Sequence, residues 1–326
     1  MSVKSNLEAV RDTIEELMAA DERVIVLGED VEEGGVFRAT EGLLKKYGQS
    51  RIMDTPLAES SIVGVSIGAS LNGLRPIAEI QFADFILPAV NQIISEAAKL
   101  RYRSGGEWSC PIVIRAPYGG GVHGGLYHSQ SMEQIFAHQP GLKVLAPSTP
   151  YDLKGLLRAA ALDPDPVLFF EHKRTYRLIR GEVPDEPFEI PIGQAEVRRE
   201  GDDLTIFSYG LAMHMCLEAA QIVAGEGIEC TVVDLRSLRP LDTETILETA
   251  KTTGKILIAH EDNLTGGIGG EIAALIAEHA FDYLDAPIMR IGGPDVPAVP
   301  FNHVLEEFYM PSPQKIAEAM RRLAAY

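Results

Sequence analysis

The amino-acid sequence predicts an α/β fold in two successive units, and three observations carry that expectation. At 326 residues the chain exceeds what one ordinary core supports and suggests two domains of roughly 150 residues. Short β-branched runs alternate with segments whose apolar residues recur every three or four positions, the pattern of parallel strands joined by crossover helices. Near the middle, residues 181–193 read GEVPDEPFEIPIG, proline-rich and acidic text that suits an extended linker. The expected division is therefore residues 1–190, the start of the linker included, and a smaller α/β unit over residues 191–326.

The elements follow in order. The opening stretch MSVKSNLEAVRDTIEELMAADERV carries apolar residues at helical spacing. Buried strands are expected at residues 23–28, 75–80, 111–115, 142–146 and 166–170, and a short one, RIM, runs into Pro56. Between them helices are expected at residues 60–71 and over a long stretch from 84 to 102. In the second unit strands are expected at residues 204–208, 229–235, 255–259 and 287–291, with helices at 213–224, 243–252 and 272–279. A helix over residues 313–325 closes the chain, and no repeat at a solenoid period is visible.

Composition removes several function classes. A formal charge of −18 disfavours nucleic acid and anionic membranes as partners and suits a basic protein module. Cys110, Cys216 and Cys230 lie far apart with no CxxC spacing, so neither a disulfide framework nor a zinc knuckle is indicated. The N-terminus fits neither a signal peptide nor a transit peptide, and no apolar run approaches the ~20 residues a membrane span needs. A cytoplasmic location is expected, or the mitochondrial matrix if a targeting sequence was removed.

Three stretches invite chemistry. Residues 116–131, APYGGGVHGGLYHSQS, follow a strand directly, and loops at carboxyl strand ends are where ligands sit in parallel sheets. There His128 can transfer protons or meet an anionic substrate near neutral pH. The plain alternative is a long surface turn. His123 and His128 are five apart across glycines, which is not the spacing of a helical metal pair, and without lysine the loop is no P-loop. In DTPLAESS a helix opens with Glu59 in its first turn; the dipole alone accounts for an acid there. Yet the uncharged text after it, SIVGVSIGASLNG, would partly desolvate the carboxylate and raise its pKa. The third stretch, TGGIGGE at residues 265–271, lacks the spacing of a dinucleotide fingerprint and is expected to serve tight turn geometry at a helix start or a subunit contact.

Taken together, DTPLAES, AEIQFADF, EAAKLRYRSGG, GGVHGGLYHSQS, STPYDLKGLLRAA and LTGGIGGEIAA carry a resemblance. From about Glu8 to Tyr326 the chain resembles the beta subunit of the decarboxylating component of 2-oxo acid dehydrogenase complexes. EIQFADF, AAKLRYRSGG and LYHSQS look most like the branched-chain (3-methyl-2-oxobutanoate) type, while pyruvate and acetoin enzymes share many of the segments. The resemblance implies a transketolase-like fold, with a pyrimidine-binding domain followed by a smaller C-terminal domain.

It also implies thiamin diphosphate, whose aminopyrimidine half meets Glu59, Leu57, Gln81 and Phe85, Phe85 standing where branched-chain members often show tyrosine. The GDG motif that binds the diphosphate and Mg²⁺ is absent, so an alpha subunit is expected to hold that half, in a heterotetramer of two alpha and two beta chains. His128 matches a family histidine assigned to substrate carboxylate contact and proton transfer during lipoyl acylation. A structural potassium ion is implied near Pro111, Val113, Ala160, Asp163 and Asp165. Further partners implied are the basic subunit-binding domain and the lipoyl domain of the acyltransferase, the former suited to the acidic charge and the Tyr326 carboxylate. A reading from another class is a scaffold that kept the fold without the chemistry; retention of Glu59 and His128 argues against it.

Overall fold

Ser5 ends the first extended stretch and caps the helix Asn6–Ala20. Its hydroxyl accepts from the Glu8 N–H at 3.2 Å, and the Glu8 carboxylate accepts from the Ser5 N–H at 2.7 Å. This reciprocal pair is a capping box, and it fixes where the chain turns from extended to helical. The computed structural model describes all residues, Met1–Tyr326. They divide into one unit of Met1–Tyr118 with Ile135–Ile192, and another of Gly119–Gln134 with Gly193–Tyr326. The glycine-histidine loop, expected within residues 1–190, thus groups with the second unit.

In the first unit the strands lie in the order Lys143–Leu145, Val167–His172, Val113–Tyr118, Arg75–Glu79, Val24–Gly28 and Ile52–Asp54, every neighbouring pair parallel. Burial along most of these strands explains their β-branched, unalternating text. The helices Asn6–Ala20 and Pro150–Leu162 supply Val10, Ile14, Leu153, Leu156 and Leu157 to the core. Register sets Gly28 beside Glu79 and Glu79 beside Arg115, which collects charged residues at the carboxyl edge of the sheet.

The second unit has strands in the order Met289–Gly293, Ile256–Asn263, Leu204–Ser208, Cys230–Asp234 and Glu196–Arg199. The last is antiparallel, so this sheet is mixed. The helices Gly210–Ala224 and Pro313–Ala324 pack Cys216, Ala220, Ile316 and Met320 into its core. All three cysteines are free and buried, as packing residues. In the 265–271 turn Gly266 has φ +74°, and a Cβ on Gly267 or Gly269 would come within 2.8 Å of the His260 ring. Gly266 makes the turn ahead of the helix Ile268–His279, while Gly267 and Gly269 are needed for space against His260.

Two segments differ from expectation. Residues 84–102 are no continuous helix: 3₁₀ turns at Ala83–Ala89, a π turn at Asn91–Glu96, a 3₁₀ turn at Ala97–Lys99 and an α turn at Leu100–Arg103 succeed one another. Pro88 lies inside the first of these; lacking an N–H and crowding the preceding turn, it breaks the α-helical ladder. The stretch taken as linker begins as structure, since Arg180–Val183 pairs antiparallel with Ser2–Ser5. Pro184, which has no N–H to donate, follows the end of that strand.

Candidate functional site

Glu59 opens the helix Glu59–Leu71, and its N-cap, Ala58, makes no side-chain cap. The helix start is thus left to the carboxylate in its first turn. Leu57 just before it is 82% exposed. Gln81 donates from Nε2 to the Asp30 carboxylate at 2.9 Å, next in sequence to Glu29. Phe85 stands edge-on to Phe82 at 5.7 Å, and Phe82 to Phe37 at 5.3 Å, an apolar wall in the same unit.

Beneath this surface lies a buried ionic network. Arg115 donates through Nε and Nη2 to Glu171 at 2.6 and 2.7 Å and through Nη1 to Glu79, and the Tyr176 hydroxyl donates to Glu171 at 2.5 Å. Bidentate geometry makes such a pair tight, and it leaves Glu79 and Glu171 compensated. Burial still raises the Glu79 proton affinity, with Arg115 opposing it. Glu29 has no such cation. It is buried, its Oε1 has no hydrogen-bond partner, and burial followed by the charges of Glu59, Asp30 and Glu79 pushes its carboxyl up to about 7. An acid that holds a proton near neutral pH therefore lies within electrostatic reach of Glu59. Sequence reasoning missed Glu29, although its place just past the strand Val24–Gly28 is the carboxyl-end position where sites gather.

The residues named for a cation come together in part. The Cys110 N–H donates to the Pro164 carbonyl at 3.0 Å, which brings the Pro111 and Val113 segment beside Asp163 and Asp165, with Ala160 buried at the end of its helix. The two carboxylates are already occupied. Lys143 Nζ lies 2.6 and 2.5 Å from the Asp163 oxygens, and Arg101 Nε 2.5 Å from Asp165. No group of three or more histidine, cysteine or acidic side chains in the chain is arranged to hold a metal ion.

His128 belongs to the second unit, at the end of a short 3₁₀ turn, Gly125–Tyr127. Its loop has φ of +89° at Gly119, +74° at Gly121, +57° at His123 and +65° at Gly125. Glycine is needed at three of these for the left-handed backbone, and at Gly120 for space, where a Cβ would sit 2.9 Å from Met310 Sδ. The Gly119 N–H donates to the Gln130 carbonyl at 3.0 Å and closes the base of the loop. Side chains far along the chain grip it: Gly120 N–H and Ser131 Oγ donate to Glu261, and Gly121 and His123 N–H donate to Glu306 Oε1 at 2.8 and 3.2 Å.

Around Glu261 lie Glu133, which accepts from the Tyr209 hydroxyl at 2.6 Å, and Asp262. Burial first and the Asp262 charge second raise the Glu133 carboxyl. Burial lowers His260 to about 4 and keeps it neutral. None of Glu133, Glu261 and Glu306 was singled out from sequence.

Comparison with known proteins adds the family context. Residues 4–179 match the transketolase pyrimidine-binding domain and residues 193–316 the transketolase C-terminal domain. The chain is 60% identical over 327 residues to the 2-oxoisovalerate dehydrogenase subunit beta of Bacillus subtilis (strain 168), covering 100% of both. It is 46% identical to the pyruvate dehydrogenase E1 component subunit beta of Acholeplasma laidlawii, covering 99% of each. Among solved structures, the inactive beta4 tetramer of a split gene transketolase matches with a TM-score of 0.80 at 25% identity, over 99% of this chain and 98% of that one.

Proposed function

The chain belongs to the family of 2-oxo acid dehydrogenase beta subunits built from transketolase-type domains, and from that premise we propose that it serves oxidative decarboxylation of branched-chain 2-oxo acids. The observation that carries the proposal is the 60% identity over the full chain to a 2-oxoisovalerate dehydrogenase subunit beta, beside which Glu59 opens a helix within electrostatic reach of the buried acid Glu29. When bound, thiamin diphosphate supplies the electron sink for the carbon left by loss of carbon dioxide.

The chain's own residues do the rest. With the cofactor bound, Glu59 would hydrogen-bond the aminopyrimidine ring nitrogen and share a proton there, Leu57 would offer its carbonyl, Gln81 would orient the ring, and Phe85 would keep the pocket dry. Glu29, with an oxygen lacking any partner, fits an acid that exchanges protons with this pair. His128 meets the substrate carboxylate and passes a proton as the acyl group moves to lipoyl.

The same reading assigns the diphosphate and Mg²⁺ to an alpha subunit, in an assembly of two alpha and two beta chains. Large exposed apolar side chains support such a partner: Val65 on the helix Glu59–Leu71 in the first unit, and Phe301, Val304 and Phe308 in the second. The lipoyl and subunit-binding domains of the acyltransferase are the further partners. Any potassium ion near Pro111 and Asp163 rests on main-chain carbonyls, since Lys143 and Arg101 neutralise the acids. Melting in potassium chloride against choline chloride tests it, a rise in potassium being the supporting result.

The substrate test is decarboxylation with an artificial electron acceptor by the chain assembled with its alpha partner, comparing 3-methyl-2-oxobutanoate with pyruvate, with and without thiamin diphosphate. Cofactor-dependent preference for the branched acid supports the proposal. Preference for pyruvate moves the substrate, and inactivity of the assembled complex leaves a scaffold.

A further inference from the structure

We infer that Glu306 is a positioning residue, whose carboxylate clasps the turn Gly121–His123 and so holds the loop that presents His128. The inference rests on the role assigned to His128 above. Glu306 lies in the short helix His303–Tyr309, and its side chain is 2% exposed. A buried carboxylate must find donors, and this one finds them on the loop. Oε1 accepts both N–H groups, from Gly121 and His123, and Oε2 lies 2.6 Å from His123 Nδ1.

What is held is a conformation that the loop's own text does not favour. His123 at φ +57° is a non-glycine residue in left-handed backbone, which persists where its surroundings over-determine it. Its ring is turned to Glu306 and stands 6.4 Å from His303, so His123 serves the clasp and not the role given to His128. The hold is reinforced on either side: Phe301 lies 3.0 Å from where a Gly125 Cβ would be, and Glu261 takes Gly120 and Ser131. A loop with four positive-φ residues between Gly119 and Gly125 has many alternatives, and the carboxylate selects one.

The test uses the complex assembled with the alpha subunit. Hydrogen exchange by mass spectrometry is read over residues 119–131, beside turnover with 3-methyl-2-oxobutanoate and a lipoyl domain. Glu306→Ala is expected to speed exchange in that segment about tenfold or more and to lower kcat about 10- to 100-fold, the cost of a misplaced catalytic group. Glu306→Gln keeps an oxygen for both N–H groups and is expected to restore most of the protection and turnover, a rescue that mere loss of stability would not give. Glu306→Asp keeps the charge with a shorter reach; it gives a smaller loosening and serves where alanine prevents assembly. Glu307→Gln, on the exposed side of the same helix, is the control and leaves both readouts unchanged.

Wild-type exchange over residues 119–131 in both the alanine and aspartate variants overturns the inference, as does a loosened loop with unchanged kcat. His128→Ala separates the two readings. Full turnover there removes the role given to His128, whereas the exchange rates report the clasp independently.

Discussion

The two units each bury a cluster of acids, and they neutralise them by different means. In the first, Arg115 is fully buried between Glu79 and Glu171 and meets both as a cation. In the second, Glu261 and Glu306 are met by backbone N–H groups of the glycine-histidine loop, and Glu133 by a tyrosine hydroxyl. The difference teaches what buried carboxylates are for in each place. Where an arginine takes two acids, a third, Glu29, is left to hold a proton; where main chain takes them, the acids act as clamps on a loop.

The comparison breaks most sharply at Glu59. Glu59→Gln is expected to lower cofactor-dependent decarboxylation about 100- to 10,000-fold, the range for a lost proton-transfer group, with assembly intact by size-exclusion chromatography. Normal turnover in that variant would remove the proton-holding role of the first cluster.

Arg115→Met comes next, leaving two buried carboxylates without their cation at a cost of about 3–5 kcal/mol, read as a drop in the denaturation midpoint. An unchanged midpoint would mean that the cation does not hold this cluster. Glu29 sharpens the contrast through pH. Folding raises its pKa from 4.5 to about 7, so across that window the folded chain binds more protons than the unfolded one. Stability contributed by this group is full below about pH 4.5 and falls as pH rises toward 7. Glu29→Gln should flatten the melting temperature across that window, and a slope equal to wild type would refute the assignment.

The smallest effect is expected outside both clusters. Arg321 and Glu226 form a close pair, each side chain 42% exposed. Arg321→Ala should leave the melting temperature unchanged within error, because solvent screens such pairs.

Sequence alone made the strands legible, since a parallel sheet covered on both faces needs continuous apolar text such as VIVLG and VLFF. Glu59 and His128 stood out as candidates because each lies in a segment that follows a predicted strand. Glu29 stands in a comparable position, yet what distinguishes it is burial beside three other acids, a property of the fold. Glu306 was out of reach for another reason: its partner Gly121 lies 185 positions earlier, and no local pattern reports such a contact. Pro88 was visible in the text and was outweighed by the three-and-four periodicity around it, although its missing N–H decides the geometry.

The pairing of Ser2–Ser5 with Arg180–Val183 has a consequence for the chain as it is made. The strand Ser2–Ser5 leaves the ribosome ahead of its partner and must wait for residue 183, roughly 9–36 s at about 5–20 residues per second. The histidine loop waits longer, because the carboxylate that grips Gly121 is residue 306. Until residue 183 is made the strand Ser2–Ser5 lacks its partner, and until residue 306 is made the loop stays unclasped.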